Sequence, residues 1–168
     1  MSKAIIPFEA FVEAAGLEHV DFINSLHENL VNANCKAEIK EAASGYVVSY
    51  IHIPSKRTVI NYVFRKKGIM IRIYADNVPH YMEILETWPN SMKDFIKKAG
   101  PCKRLLNPDD CNSRCLMGFD FILDGERQQK CRNSGFMFFL DDETKPYVND
   151  MVLREMQLRN LYDSRDFV

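Results

Sequence analysis

Four of the five cysteines, Cys102, Cys111, Cys115 and Cys131, fall within residues 101–139, spaced Cys-x8-Cys-x3-Cys-x15-Cys. Four thiolates are a donor set for zinc, which binds them tetrahedrally at about 2.3 Å and closes loops that lack a core of their own. Lys103, Arg104, Arg114, Lys130 and Arg132 stand near them, and their charge would offset that of the thiolates. The spacing admits three readings: a metal site, free thiols filling space as small apolar residues, or one or two disulfides. The compartment decides the order. A cytosolic chain favours the metal over the disulfide, and zinc is the cofactor expected. The single C-x3-C is a less specific mark than the paired C-x2-C of common zinc knuckles.

One of these cysteines could instead serve a thiol-dependent enzyme or a redox sensor. A nucleophilic cysteine wants a base beside it. His19, His27, His52 and His80 all precede the cysteine block, so a base would have to arrive through the fold. The chain has no C-x-x-C, G-x-G-x-x-G, P-loop, H-E-x-x-H or G-x-S-x-G sequence, which removes the reaction classes that those patterns carry. Asp109-Asp110 lies in an Asn-Pro-Asp-Asp stretch that reads as a loop.

The elements that must position these residues begin with two helices. Phe8, Phe11, Val12 and Ala15 recur at helical spacing after Pro7 and before Gly16; Val20, Ile23, Leu26, His27 and Leu30 form a second stripe. His19 and His27 are eight apart, where a metal pair on one helix face wants four. Four strands are then expected at 36–42, 45–53, 58–65 and 69–75, joined by short links and therefore antiparallel. Ile69, Ile71 and Ile73 share one face of the last strand. Met70, Arg72 and Tyr74 share the other, and Tyr46 and Tyr50 are expected beside them as an open ligand or partner face. The occupant expected there is a small molecule or a protein, although Arg72 could equally cap a carboxylate or stack on tyrosine. Pro79 opens the next helical stretch, 80–86, Trp88-Pro89 divides the region in two, and Gly100-Pro101 ends it. A strand, an Asp124-Gly125 hairpin turn and a polar return strand follow, then a buried strand at 135–140 and a closing helix.

The fold class expected is therefore α+β: an antiparallel meander with N-terminal helices, a central broken helix, a cysteine-bearing hairpin and a C-terminal helix. At 168 residues the length suits a single domain spanning 1–168, with 101–139 as a substructure within it. Composition is ordinary for a globular chain, with 46% apolar and 27% charged residues. No apolar run reaches the roughly 20 residues that span a bilayer, and the first residues lack the pattern of a signal peptide. A cytoplasmic location without membrane attachment is expected.

Charge is uneven along the chain. Residues 1–55 hold three Lys/Arg against seven Asp/Glu (−4), residues 56–132 fifteen against nine (+6), and residues 133–168 four against seven (−3). The basic middle, with Tyr62, Phe64 and Tyr74, would suit a sheet on which bases stack, which is the second alternative. The sequence pI of about 6.4 argues against a nucleic-acid domain.

The succession RKKGIMIRIYADN, CKRLLNPDDCNSRCLMGFDF and KCRNSGFMF resembles a group of small uncharacterised bacterial proteins from about Lys36 onward. That resemblance implies no catalytic residue. In architecture the pattern is similar to the small YjbR-like and YdhG-like α+β domains, a likeness of fold alone, and the cysteine block is not part of their pattern.

Overall fold

Alternation of β-branched and aromatic residues builds most of a five-stranded sheet. In the computed structural model, which describes residues 4–165, helices α1 (Phe8–Ala15) and α2 (Val20–Asn32) come first, joined by a single 3-10 turn at Leu17–His19. Strands β1 (Cys35–Ala42), β2 (Gly45–His52), β3 (Arg57–Arg65) and β4 (Gly68–Ile73) follow. Two 3-10 turns (Val78–His80 and Met82–Thr87), α3 (Asn90–Lys98) and the one-turn α4 (Lys103–Leu106) lead to the hairpin β5 (Phe119–Leu123) and β6 (Glu126–Lys130). Strand β7 (Met137–Phe139) and helix α5 (Lys145–Arg165) complete the order. The larger sheet runs β1-β2-β3-β4-β7, and β5-β6 is a sheet of its own. The fold is α+β, as the patterning predicts.

The chain divides into two compact units, residues 1–71 with 139–168, and residues 72–138. The second holds all but the last residue of the expected cysteine-bearing substructure.

In the first unit the helical stripe delivers what its spacing promised: Ile23, Leu26 and Leu30 of α2 are fully buried, as is Phe11 of α1. Beneath them lie Val48 and Tyr50 of β2 and Ile60 and Tyr62 of β3, set by the pairings Val48↔Tyr62 and Tyr50↔Ile60. Burial of that many large apolar side chains, each contributing about 1.5–3 kcal/mol, is the main force holding the unit. Strand β1 is an edge of the sheet, and its outward residues are charged: Lys36, Glu38, Lys40 and Glu41. Helix α5 starts from a reciprocal cap. The Asp141 carboxylate accepts from the Thr144 amide at 2.8 Å, and the Thr144 hydroxyl accepts from the Asp141 amide at 3.0 Å. Its stripe Val148, Met151, Val152 and Met156 is buried.

In the second unit Phe119 and Phe121 of β5 pack on Phe136, at ring-centroid separations of 5.1 and 5.2 Å. Trp88 packs on Phe138 at 5.6 Å. The β5-β6 turn needs left-handed backbone at two successive residues, Asp124 (φ 51) and Gly125 (φ 76), which is the twist that suits a two-residue hairpin. That turn is pinned from α3: Lys93 and Lys97 each reach one carboxylate oxygen of Asp124 at 2.8 Å, and Glu86 accepts the Asp124 amide at 2.9 Å. These contacts hold the Asp124 carboxyl far below the usual carboxylate range, the Lys93 hydrogen bond contributing most.

Candidate functional site

All four clustered cysteines lie in the second unit, and its backbone brings three of their neighbourhoods to one point. Residues 100–102 run antiparallel to 129–131: the Cys102 amide donates to the Gln129 carbonyl at 2.9 Å and the Cys131 amide to the Gly100 carbonyl at 2.8 Å. Side chains two residues apart along a ladder share a face, so Cys102 and Cys131, which stand diagonally across it, are turned to the same side. Gly118 closes the third edge. Its amide donates to the Cys102 sulfur at 3.3 Å. A Cβ on Gly118 would sit 2.1 Å from the Lys130 carbonyl oxygen and 2.8 Å from the Cys102 Cβ; only glycine permits that approach. Gly118 lies three residues after Cys115, with Met117 between them in left-handed backbone (φ 72).

Cys102 is buried, Cys115 and Cys131 are half-buried, and Cys111 is exposed. Among the described residues no group of three or more His, Cys, Asp or Glu side chains is placed to hold a metal ion, so the tetrahedron expected from spacing is not assembled here. The loop that carries Cys111 and Cys115 explains why. Residues 107–114 are all exposed, and Leu116 is half exposed. An irregular segment of that length with no core of its own is unusual inside a compact unit. Its ties are polar: the Arg104 guanidinium donates to the Cys115 carbonyl, and Asn107 and Asn112 accept amides two residues on at 3.2 and 3.0 Å.

Some of the basic residues near the cysteines are engaged locally. Lys130 donates to the carbonyls of Lys97 (2.7 Å) and Ala99 (3.0 Å). Arg132, buried, pairs with Asp76 and lies 5.0 Å from the Tyr74 ring centroid and 5.8 Å from that of Phe119. Arg127 pairs with Asp120 at 2.6 Å. Part of the positive charge of the middle segment is thus paired or hydrogen-bonded within the second unit.

The expected ligand face is rearranged. Tyr50 is 1% exposed, and its hydroxyl meets His27 Nδ1 of α2 at 2.8 Å. It therefore lies on the covered side of the sheet rather than an open one, because the register puts it beside Ile60 and Tyr62 under the helices. Tyr46 is half-buried against Phe64, with centroids 5.8 Å apart. In the second unit Arg72 donates to the Asn133 carbonyl at 2.7 Å and reaches the Met137 sulfur at 3.7 Å, and Tyr74 is covered by Arg132. Arg72 and Arg132 both hold the turn that follows Cys131. In the sequence, Lys130-Cys131-Arg132 stands out only by its charge. That Arg132 would be the buried one follows from its aromatic and acidic surroundings, which are distant in sequence.

Cys35 opens β1, buried beside the Met156 sulfur at 3.7 Å, and burial pushes its thiol up to about 11. It is a packing residue. His19 and His27 are each lowered from 6.5, chiefly by burial.

Against known proteins, the chain matches no family model, no curated protein and no solved structure. No helix among the described residues is long and apolar enough to cross a membrane.

Proposed function

We propose that the protein is a binding or regulatory module whose second unit is completed by a zinc ion taken by Cys102, Cys111, Cys115 and Cys131. One observation carries this reading: Gly118 docks on Cys102 through an N–H···S bond while Cys131 faces the same side of the adjoining ladder. A backbone amide directed at a cysteine sulfur is what a thiolate ligand uses to delocalise its charge and fix its orientation. The exposed loop at 107–116 then has a reason to carry two thiols. Drawing Cys111 and Cys115 onto the Cys102–Cys131 side would replace the missing core with metal–sulfur bonds, whose free energy is folding free energy.

Metal content of the purified, tag-free protein by elemental mass spectrometry, with thiols counted before and after denaturation, tests it. The expected result is zinc in equal amount to the chain, no fast thiol in the native protein and five after unfolding. Absence of metal, with Cys111, Cys115 and Cys131 alkylating at once, would overturn it. Cys115→Ser should also lower the melting temperature by many degrees; a wild-type melt would be a second refutation. One cysteine alkylating much faster than its neighbours, with the fold surviving its mutation, would point instead to thiol chemistry.

A further inference from the structure

The outer side of the α1–α2 hairpin, in the first unit, carries a cleft of about 490 Å³ lined by Phe8, Val12, Leu17, Val20, Glu9 and Glu13. Leu17 is 93% exposed and Ile5, just ahead of α1, 94%. The apolar wall is held in advance of any occupant: Phe8 stacks on His27 at 4.0 Å and 24°, and His27 is in turn hydrogen-bonded to buried Tyr50.

Charge is the second feature. From Ala4 to Cys35 the sequence has no lysine or arginine, whereas it has Glu9, Glu13, Glu18, Asp21 and Glu28. Glu9, Glu13, Glu18, Asp21 and Glu28 are all exposed. Lys145 approaches the elbow from α5, donating to the Glu18 carbonyl at 2.6 Å, with Asp142 beside it at 3.6 Å. The cleft is therefore lined by apolar side chains with two exposed carboxylates, Glu9 and Glu13, among them.

We propose that this cleft docks a cationic amphipathic helix of a partner protein. A groove between two helices accepts the ridge of a third. Apolar anchors at i, i+3 or i+4 and i+7 would meet Phe8, Val12 and Leu17, and lysines or arginines flanking them would meet Glu9 and Glu13. The two carboxylates give the sign of the partner, and the length of α1, two turns, gives the number of anchors. An anionic helix is repelled there, and a neutral one forgoes the carboxylates.

The test uses the full chain and a fluorescein-labelled peptide about four turns long, with a leucine stripe flanked by lysines, followed by anisotropy. Saturable binding is expected, and Glu9→Lys with Glu13→Lys should weaken it about tenfold or more. Leu17→Ser, at a side chain too exposed to support the fold, should weaken it about threefold. Glu38→Lys with Glu41→Lys, the same charge change on β1, should leave it unaltered. Equal weakening by the β1 pair would overturn the proposal by reducing it to overall charge. So would equal binding of a permuted peptide that has the same composition and no apolar stripe, or no binding at about 1 mM peptide. A dimer in sedimentation that Leu17→Ser dissolves would also overturn it, since a second copy would then be the occupant.

Discussion

The two units differ in what they leave outside. Both bury charged side chains, Lys93 and Arg132 in the second unit, where they pair with Asp124 and Asp76, and the first ties its buried charged and polar groups to distant backbone as well. Glu155, fully buried, pairs with Arg159 at 2.8 Å, and Arg159 also donates to the carbonyls of Arg57 (3.3 Å) and Thr58 (3.1 Å). His52, likewise buried, meets Ser55 and Asn160, each at 2.8 Å. Asn160 donates onward to the Ala33 carbonyl at 3.1 Å. The second unit leaves a thiol-bearing loop outside, with little apolar burial of its own. A segment stapled by its own hydrogen bonds and an exposed thiol-bearing loop ask for different experiments, and the contrast can be broken or sharpened at four points.

The largest effect is expected at the buried pair. Removing one partner leaves an uncompensated charge, at about 3–5 kcal/mol, so Glu155→Ala should lower unfolding free energy by that order in a urea titration. A change below about 1 kcal/mol would mean that the pair is not buried in solution. Next comes Gly118→Ala. Its Cβ would fall on a backbone oxygen rather than on a yielding side chain, and overpacking of that kind costs about 1–3 kcal/mol. Trp88, the only tryptophan of the chain and buried in the second unit, is the probe for that loss. An unshifted Trp88 transition would refute the tight approach at Gly118.

A chelator sharpens the contrast further. If zinc completes the second unit, removal of the ion should raise amide exchange at residues 100–118 and 129–135 and leave α2 and β2 as they were. Uniform change across both units would contradict a local site. The smallest effect is that of pH. His19 and His27 in the first unit have pKa values lowered from 6.5 by burial, so the unfolded chain binds more protons than the folded one below that value. Their contribution to stability is complete above pH 6.5 and is lost as pH falls through the lower folded values. Asp120 and Asp124 in the second unit are lowered from 3.8, chiefly by hydrogen bonds from Arg127 and Lys93 respectively. Their contribution is lost only below about pH 4. Acidification should therefore soften the first unit before the second, read by amide resonances from pH 7.5 to 3; the reverse order would discount the histidines.

What the sequence showed of all this depended on range. The α2 stripe, the meander and the Asp124-Gly125 turn are local patterns of period 3.6, period 2 and two-residue turn chemistry, and each formed where its residues stood. The helical stretch expected before Trp88 came out as 3-10 segments, Val78–His80 and Met82–Thr87, rather than α-helix. Tyr50 was misplaced for a different reason. Strand alternation gives two faces but does not say which one the helices cover, and the His27 partner that decides it lies 23 residues away. Cys102 and Cys131 share a face through a ladder that no spacing rule contains.

Strand β1 presents Lys36, Glu38, Lys40 and Glu41 along an edge of the sheet. Unpaired edges invite another strand, and charged side chains along them discourage it. Growth of the sheet from one molecule into the next is thereby discouraged on that side. A variant that neutralised those four positions would leave that edge open to pairing with a strand of another molecule.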